Sequence, residues 1–364
     1  MIQAIRKWPG IPVSRLRTWR RSTAILLLLP TLFFCITVLQ DSKPAGHDKY
    51  SLVQYVQLPV RIHPRLPCGR NISVIVISHP ANQNIRNAHR KALPFDLLHD
   101  IGVSRIFLLA QATNTSGMYP KVDQSKITKE AQDFGDLLQF QMEEDYRNLV
   151  YKHLSGLSWA STCQSKWIVK ADDDIAINIF TLLNILNDSE DMVGSSLSGF
   201  LIENSNPKRD PANKWYVSHE EYSQDVYPRF LSGWAYATNP QTASRLVQAA
   251  LVEPVFWIDD VYVTGLLTQA EDLHLRPLNG LFTISAREVR CCSQNWNSLC
   301  DYAIGPSDGD ARLLQDFLSQ TVHCYKNRCA PLSHKERLLK PCITSTQIHG
   351  DLGRGEGEVI PLKL

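Results

Sequence analysis

The sequence predicts an α/β fold in which a mostly parallel sheet is flanked by helices. Two observations carry this prediction: short apolar runs of strand length recur along the chain, and segments with apolar residues at helical spacing separate them. The runs are almost uninterrupted by polar residues, which is typical of strands buried on both faces. The 364-residue chain is 44% apolar and 20% charged, a composition that supports a large core and excludes a disordered or collagen-like chain.

Four strand candidates follow one another in the first half of the chain. The first is Ile72–Ile77, the second is residues 106–110 and the third is residues 137–140. Apolar residues at helical spacing over residues 146–157 then predict a helix, and residues 167–169 form the fourth strand. In sheets of this kind, ligands bind outside the carboxyl ends of the strands. We therefore expect the residues after the fourth strand to matter most for function.

The N-terminal end predicts a single transmembrane helix. Residues 22–40 form an uncharged, mostly apolar run that spans about 28 Å as a helix, close to the hydrocarbon thickness of a bilayer. Six cations and no acid lie in the first 40 residues, so the positive-inside rule leaves residues 1–21 as a cytosolic tail and sends the rest across the membrane. The alternative is a cleaved signal peptide, and both interpretations place residues 41–364 in the secretory pathway.

Beyond this basic end the chain is mildly acidic, because the whole chain carries a net charge of only +2. A nucleic-acid binder would show a basic surface on its folded part, so we expect no nucleic-acid partner. Residues 41–70, with several prolines and little apolar periodicity, are predicted as a stem, residues 71–345 as the main domain and residues 346–364 as a C-terminal tail. Three sequons predict N-glycosylation at Asn71, Asn114 and Asn187.

Nine cysteines predict disulfide bonds. Cys35 lies in the predicted transmembrane helix, which leaves eight on the far side of the membrane, an even number in an oxidising compartment. The adjacent Cys291 and Cys292 are expected to bond to different partners. The alternative for part of this set is a zinc site made by His323, Cys324 and Cys329, although their spacing matches no structural zinc pattern.

The fourth strand runs directly into three aspartates, Asp172, Asp173 and Asp174. Adjacent carboxylates repel one another, and a hard divalent cation with oxygen ligands relieves this repulsion. In extended backbone Asp172 and Asp174 point the same way, so together they can hold a metal and leave positions open for phosphate oxygens. The alternative is that the aspartates cap the helix predicted from Ile179 onward.

Two common nucleotide-binding motifs are absent from the sequence. It contains no GxxxxGK[ST] loop and no GxGxxG after the first strand. A bound nucleotide would then have its diphosphate held by the metal. This combination suggests a metal-dependent transferase that uses a nucleotide-activated sugar.

Six sequence blocks between residues 73 and 326 occur in the order and spacing of one known family. They are ISHPANQNIRNAHR (77–90), DLLQFQMEEDYRNLVYKHLSGLSWASTC (136–163), KADDDIAIN (170–178), KWYVSHEEYSQDVYPRFLSGWAY (214–236), IDDVYVTG (258–265) and TVH (321–323). In these blocks the chain resembles the beta-1,3-glycosyltransferases of family 31, which transfer galactose, N-acetylgalactosamine or N-acetylglucosamine from UDP-sugars. The resemblance departs from the family pattern at Ala88-His89, where the family has a Thr-Trp pair, and at Trp234-Ala235, where glycines are usual.

The resemblance implies a GT-A type fold for residues 71–345, a Rossmann-like nucleotide-sugar-binding sandwich that forms the catalytic domain. It also implies Mn²⁺, bridging the diphosphate of a UDP-sugar. By motif position Asp174 is the main metal ligand, Asp172 contacts the ribose or a metal-bound water, and His323 completes the metal site. The matched blocks place three further residues in the donor site: Arg86, Lys170 and Asp173.

The chemistry needs one more carboxylate, a general base that activates the acceptor hydroxyl. Asp260 is the candidate, since it matches the aspartate of the family signature and precedes an apolar stretch that can anchor it. The alternative is that Asp259 and Asp260 only cap the following helix. A single base without a second nucleophile implies direct displacement with inversion. For the acceptor side, the resemblance and the aromatic content point to Trp215, Tyr216, Trp234, Tyr236 and Asp259.

The sequence as a whole predicts an inverting, Mn²⁺-dependent hexosyltransferase of the Golgi membrane, single-pass and type II, with its catalytic domain in the lumen. Galactose is the expected sugar, transferred in β-1,3 linkage to an oligosaccharide on a glycoprotein or glycolipid. The sequence leaves open whether two copies form a homodimer. One alternative is a catalytically inactive, transferase-like glycan-binding protein or chaperone. Another is a metal-dependent secreted hydrolase, which would be expected to show more histidine and aspartate ligands.

Overall fold

The computed structural model describes residues 58–111, 122–188 and 196–331. Within these ranges no helix is long and apolar enough to cross a membrane. The predicted cytosolic tail, transmembrane helix and C-terminal tail lie outside them, as does the sequon at Asn114. Of the other two sequons, Asn187 is exposed at the end of a helix, and the Nδ2 atom of Asn71 donates a hydrogen bond to the Ile101 carbonyl.

Twelve strands occur in the described residues. In chain order they are β1 (Val60–Ile62), β2 (Ile72–Ile77), β3 (Val103–Gln111), β4 (Leu137–Glu143), β5 (Trp167–Asp172), β6 (Ile175–Ile177), β7 (Ser196–Ile202), β8 (Phe230–Thr238), β9 (His274–Pro277), β10 (Ser298–Leu299), β11 (Ile304–Pro306) and β12 (Ala330–Pro331).

Eight of these strands form the central sheet, in the order β1-β4-β3-β2-β5-β8-β7-β9. The four strands predicted from the sequence, β2 to β5, pair in parallel at its centre. On one side β8 pairs antiparallel with both β5 and β7, and at the opposite edge β1 pairs antiparallel with β4. The sheet is therefore more mixed than predicted. Antiparallel neighbours need no helical crossover, so these strands carry no alternating strand-helix pattern.

The main helices are α1 (Gln83–Ala92), α2 (Phe95–Asp100), α3 (Gln124–Phe134), α4 (Leu149–Ser161), α5 (Ile179–Asn187), α6 (Pro240–Ala249), α8 (Ala286–Ser293) and α9 (Ala311–Asn327). Between α6 and α8 lies α7, a continuous helix built from Asp259–Val261, a π-helical turn at Tyr262–Leu266, and Leu267–Ala270. The helix predicted over residues 146–157 is confirmed as α4, preceded by one 3₁₀ turn at Tyr146–Asn148.

Two hydrophobic cores cover the two faces of the sheet. Along β2, Ile72, Val74 and Val76 face one core, and Ile75 and Ile77 face the other, because successive side chains of a strand point to opposite faces. The first core is closed by helices including α1, α5 and α9, and the second by α4, α6 and α7. All six residues of β2 are buried, as expected for a strand covered on both sides.

The folded domain starts earlier than the predicted boundary at residue 71. In the structure β1 is hydrogen-bonded to β4, and Cys68 forms a disulfide with Cys163 at the end of α4. Residues 58–70, predicted as part of the stem, are thus attached to the sheet. Prolines made this segment look like a linker, although a short edge strand tolerates prolines beside it.

The expected disulfides are confirmed. Besides Cys68–Cys163, the structure pairs Cys292 with Cys300 and Cys324 with Cys329. Cys291 is also disulfide-bonded, so the adjacent cysteines have different partners, as predicted. The bond between Cys324 and Cys329 removes the thiolates that a zinc site would require.

Removing the Cys68–Cys163 disulfide by a double alanine substitution should destabilise the domain. The two residues are 95 positions apart, and in the chain-entropy account a loop of this length contributes about 5 kcal/mol. The matched control is the pair Cys324 and Cys329, only five positions apart, for which the same account gives about 2 kcal/mol. Denaturant unfolding of both variants measures the difference, and equal losses would contradict the loop-length argument.

Candidate active site

The candidate site lies where the strand order reverses. From β2 the chain builds β3 and β4 on one side and then returns to place β5 on the other, and ligands of open α/β sheets bind at such a switch point. The loops that follow β2 and β5 meet there, since the amide of Asp173 donates to the Ile77 carbonyl at 3.1 Å. The aspartate triplet predicted from the sequence therefore sits at the expected edge of the sheet.

The central aspartate of the triplet faces the protein. The Oδ2 atom of Asp173 accepts hydrogen bonds from Ser78 Oγ at 2.6 Å and from Asn82 Nδ2 at 3.0 Å. Its main-chain oxygen lies 2.8 Å from Nε2 of His89. Asp173 is buried, so it fastens the loop after β2 to the loop after β5. It is a support for the site, where we had expected a contact to the donor.

The two flanking aspartates, Asp172 and Asp174, remain partly exposed, and their surroundings disfavour their ionised forms. Partial burial raises the pKa of Asp172 to about 6, and the charge of Asp259 adds to the rise while Lys170 opposes it. Burial and the charges of Asp172 and Asp173 raise the pKa of Asp174 to about 7. Both shifts mean that the site gains free energy from a nearby positive charge.

The donor set fits a hard divalent cation. Asp172 and Asp174 offer carboxylate oxygens, the ligand type that Mg²⁺ and Mn²⁺ prefer. Among the described residues no cluster of three or more histidine, cysteine, aspartate or glutamate side chains is arranged to hold a metal. Two protein carboxylates supplemented by phosphate oxygens or water are the usual arrangement where a metal is shared with a nucleotide.

The aspartate triplet does not cap the next helix. The N-cap of α5 is Asn178, whose side chain accepts the Thr181 amide at 3.2 Å. Asp174 is tied instead to the segment after β11, because its main-chain oxygen accepts both the amide and the hydroxyl of Ser307, each at 2.8 Å. The capping alternative for the triplet is therefore not what the structure shows.

Lys170 links the metal side of the site to the base side. This lysine is buried, and its ammonium group donates to Asp172 Oδ1 at 2.7 Å and to the Gly233 carbonyl. The amide of the same glycine donates to Asp260 Oδ2 at 3.3 Å. The main chain of Gly233 thus joins the Lys170–Asp172 pair to Asp260. Lys170 was expected at the donor, and the structure shows it holding Asp172.

Arg86 is also a support. It is fully buried and forms a bidentate ion pair with Glu130, both contacts at 2.7 Å. Its remaining donors reach Ser78 Oγ and the carbonyls of His79 and Pro80. Because these donors are occupied, Arg86 shapes the loop after β2 and does not face an incoming ligand in this structure.

Asp259 and Asp260 open helix α7 beside the triplet. The N-cap position is Ile258 and no side chain caps the helix, so capping alone does not account for the pair. Asp259 is buried and its Oδ2 lies 2.8 Å from His153 Nδ1. Burial raises the pKa of Asp260 to about 7, and the neighbouring charge of Asp259 adds to the rise. A carboxyl group with a pKa near neutrality is suited to act as a general base.

Three aromatic rings stand in contact next to these carboxylates. Trp215 Nε1 donates to the hydroxyl of Tyr146 at 2.8 Å, and the rings of Tyr146 and Trp257 meet edge to face at 6.1 Å. Burial and the charges of Asp259 and Asp260 raise the pKa of the Tyr146 hydroxyl, which places this ring beside the candidate base. Sequence reasoning identified Trp215 but treated Tyr146 only as the start of a helix and missed Trp257.

The other aromatic candidates have different positions. Tyr236 is buried, and its hydroxyl lies 2.7 Å from His153 Nε2. Trp234 is half-buried and packs against the first core. Tyr216 is half-buried in the loop before β8, where it forms an isolated bridge with Lys208. Tyr227, a further aromatic residue of the same loop, is buried among Tyr222, Phe230 and Phe256, which is ordinary packing.

The structure does not bring His323 to the aspartates. Helix α9 begins next to them, with Asp310 at its N-cap, but His323 comes thirteen residues later, about 20 Å along a helix axis. There its ring packs edge to face on Trp296 at 5.1 Å. The long uninterrupted helix from Ala311 to Asn327 is the reason, since it carries the histidine away from the sheet edge.

Comparisons with known proteins agree with this architecture. A family model described as galactosyltransferase matches residues 83–279. The chain is 32% identical over 179 residues to beta-1,3-galactosyltransferase 5 of Pan paniscus, covering 48% of this chain and 58% of the relative. It is 26% identical over 230 residues to beta-1,3-galactosyltransferase 2 of Homo sapiens, covering 62% of this chain and 53% of the relative. The matched part thus spans little more than half the length of these relatives.

A solved structure, 4-diphosphocytidyl-2C-methyl-D-erythritolsynthase from Anaerococcus prevotii, aligns over 58% of this chain and 87% of its own, at 11% identity and a TM-score of 0.32. That similarity is too low to bear on function. The family match is different in kind, because it includes the aspartate triplet, the loop before β8 and the start of α7. It covers more than half of the sequence, and the chain therefore belongs to the galactosyltransferase family, glycosyltransferase family 31.

Proposed function

We propose that this protein is an inverting, Mn²⁺-dependent hexosyltransferase that moves galactose from a UDP-sugar to a glycan hydroxyl. One observation carries the proposal: the main chain of Gly233 and the Lys170 ammonium group connect Asp260, whose pKa is near neutrality, to Asp172, one of two carboxylates suited to a divalent cation. A sugar transferase needs a base at the acceptor oxygen and positive charge at the departing diphosphate within the same site. The names of the relatives, beta-1,3-galactosyltransferases, support galactose and the β-1,3 linkage.

The donor half of the site is assigned to the loops after β2 and β5. Asp172 and Asp174 would hold the Mn²⁺, which when bound neutralises charge on the departing diphosphate. Lys170 holds Asp172 by a hydrogen bond, and Arg86 and Asp173 both bond to Ser78 in the loop after β2. These contacts are buried, and a preorganised site loses less free energy when charge develops in the transition state.

Asp260 is assigned as the general base. It accepts the proton of the acceptor hydroxyl as that oxygen attacks the anomeric carbon, while the bond from this carbon to the phosphate oxygen breaks and UDP leaves. Attack from the face opposite the phosphate inverts the anomeric carbon, so an α-linked donor yields a β-linked product. Asp259 is buried and bonded to His153, which leaves the more exposed Asp260 to face the acceptor.

The acceptor half is assigned to the rings of Tyr146, Trp215 and Trp257. Sugars place their apolar faces on aromatic rings, which give much contact area at low entropy cost. Lys214 lies above the Tyr146 ring at 4.3 Å and Arg147 above the Trp257 ring at 4.5 Å, so the cluster is rimmed by polar donors for sugar hydroxyls. The acceptor itself is proposed to be an oligosaccharide on a glycoprotein or glycolipid. We further propose that residues 22–40 anchor the protein in the Golgi membrane with this domain in the lumen.

The proposal is tested by UDP release from the full-length chain with Mn²⁺. UDP-galactose, UDP-N-acetylgalactosamine, UDP-N-acetylglucosamine and UDP-glucose are each offered with and without β-galactoside, β-N-acetylglucosaminide and β-N-acetylgalactosaminide acceptors. We expect acceptor-stimulated release with UDP-galactose, abolished by a chelator. Release with a different sugar would overturn the donor assignment. UDP binding without release under any pairing would favour a transferase-like binding protein.

A further inference from the structure

His153 is a buried histidine whose two ring nitrogens both have partners at the centre of the site. It lies on α4 and its side chain is fully buried. Nδ1 is 2.8 Å from Asp259 Oδ2, and Nε2 is 2.7 Å from the Tyr236 hydroxyl. The three side chains come from α4, α7 and β8, so the connection exists only in the folded protein.

We propose that His153 is a positioning residue that, held by Tyr236, donates its Nδ1 proton to Asp259 and fixes the orientation and charge of the carboxylate beside Asp260. This inference rests on the proposed function, because it assigns how the base of that reaction is set. His153 is too deeply buried to touch a substrate, and its effect passes through Asp259.

The direction of the hydrogen bonds follows from which groups keep their protons. Burial lowers the pKa of His153, so the ring is neutral and carries one proton. Burial and the charge of Asp259 raise the pKa of Tyr236 well above its ordinary value, so the hydroxyl keeps its proton and donates it to Nε2. The single ring proton is then on Nδ1 and points at Asp259.

Asp259 is charged in this arrangement although it is buried. Burial alone would raise its pKa, but the hydrogen bond from His153 and the charge of Lys170 hold the pKa below its ordinary value. A fixed negative charge on the adjacent residue makes it harder for Asp260 to lose its proton. His153 therefore sets the proton affinity of Asp260 indirectly, through the charge of Asp259.

Several other ionisable groups face this pair of aspartates and belong to the same balance. Lys170 and Asp172 approach from β5, Tyr236 from β8, and Tyr146 from the turn before α4. Among the described residues the structure shows His153, and none of these four groups, hydrogen-bonded through its side chain to the Asp259 carboxylate. A change at His153 is accordingly the most selective way to alter Asp259.

The kinetic test compares His153→Leu, which removes both hydrogen bonds, with His153→Gln, whose amide can donate to Asp259 and accept from Tyr236. For His153→Leu we expect kcat to fall about 10- to 100-fold, by analogy with hydrogen-bond partners that orient metal-ligating side chains, whose loss has effects of this size. UDP affinity in the presence of Mn²⁺ should stay within about 3-fold. Asp259 then takes up a proton more readily, so Asp260 stays ionised to lower pH, and the acid limb of kcat should move about one pH unit downward. His153→Gln should restore the acid limb.

A structural role alone would give a different pattern. It would lower kcat of His153→Leu equally at every pH, leave the acid limb in place and give no selective recovery in His153→Gln. That pattern overturns the inference and leaves the proposed function standing. The same conclusion follows if the wild type is active and His153→Leu has an unchanged kcat and an unchanged acid limb. A wild type inactive with every sugar overturns both.

A second measurement does not depend on activity. The ¹⁵N shifts of the His153 ring in the full-length chain, without metal or nucleotide and assigned by comparison with His153→Gln, report which nitrogen carries the proton. We expect a neutral ring protonated on Nδ1 at pH 7. A ring protonated on Nε2, or doubly protonated at this pH, would overturn the inference.

Discussion

Replacing Asp260 with asparagine should lower kcat about 10³-fold, within the range contributed by general bases, while UDP still binds in the presence of Mn²⁺. Asparagine has the same size, and its single side-chain oxygen can still accept one of the two amides, Gly233 or Val261, that bond to separate oxygens of Asp260. It cannot take a proton. Steady-state rates with the best donor and acceptor, together with calorimetric UDP binding, measure both parts. A variant within tenfold of the wild-type kcat would exclude Asp260 as the base.

The pH dependence of kcat is a second test of Asp260 as the general base. Burial and Asp259 raise the pKa of Asp260 to about 7, and the base must be ionised to work. The wild-type rate should therefore fall as the pH drops below about 7, and the residual rate of Asp260→Asn should lack this limb.

Stability provides the control for correct folding. The pKa of Asp260 is higher in the folded protein than in the unfolded chain, so its ionised form destabilises the fold above about pH 7. This penalty is lost as the pH falls toward the ordinary aspartate value. Asp260→Asn should then have a thermal midpoint at or above that of the wild type at pH 8, and the difference should close toward pH 4. A lower midpoint at pH 8 would mean that lost activity reflects damage to the fold.

Replacing Asp174 with asparagine should abolish Mn²⁺-dependent UDP binding, weakening it about 100-fold or more. Asp174 carries one of the two partly exposed carboxylates at the end of β5. Burial, together with the charges of Asp172 and Asp173, raises its pKa to about 7, so a nearby cation would favour its ionised form. Asparagine keeps the main-chain oxygen that Ser307 binds, so the loop should keep its shape. Calorimetric titration of UDP with Mn²⁺ and with chelator gives the comparison.

Asp308 offers a matched control for this charge change. It is exposed, and its charge also acts on Asp174. If the effect at Asp174 is metal ligation, Asp308→Asn should weaken UDP binding only a few fold. Equal losses in the two variants would point to the general negative field of the site, and retained Mn²⁺-dependent binding in Asp174→Asn would remove Asp174 from the proposed metal site.

The elements of the fold were predictable because their signals are local. The apolar runs at Ile72–Ile77 and in the three strands that follow identify buried strands without reference to any partner, and the four strands pair as predicted. The aspartate triplet is likewise readable, since a polar cluster directly after a buried strand must lie at the sheet edge. Strands β7 to β9 were not predicted, because their pairing depends on contacts far apart in the chain.

The roles of individual side chains were harder to predict. Arg86 and Lys170 are of the residue types that bind phosphate, yet both are buried and occupied by Glu130 and by Asp172 with Gly233. Tyr236 reads as a sugar-stacking ring but donates to His153 from the core. A charged or aromatic residue faces a ligand only if no neighbouring protein group has already bound or buried it. The sequence does not show which groups are neighbours in space.

The order of the amino acids was enough to predict the four central strands, helix α4, the family and the two acidic motifs, because periodicity, apolar runs and short motifs are properties of neighbouring residues. The assembled fold was needed to show that Asp260 and Asp172 are connected through Lys170 and Gly233. It was also needed to show that Tyr146 contacts both Trp215 and Trp257, and that His323 lies far along α9. The physical reason is that hydrogen bonding and burial between distant segments form only when the sheet assembles, and these contacts set the charge, exposure and reach of each functional side chain.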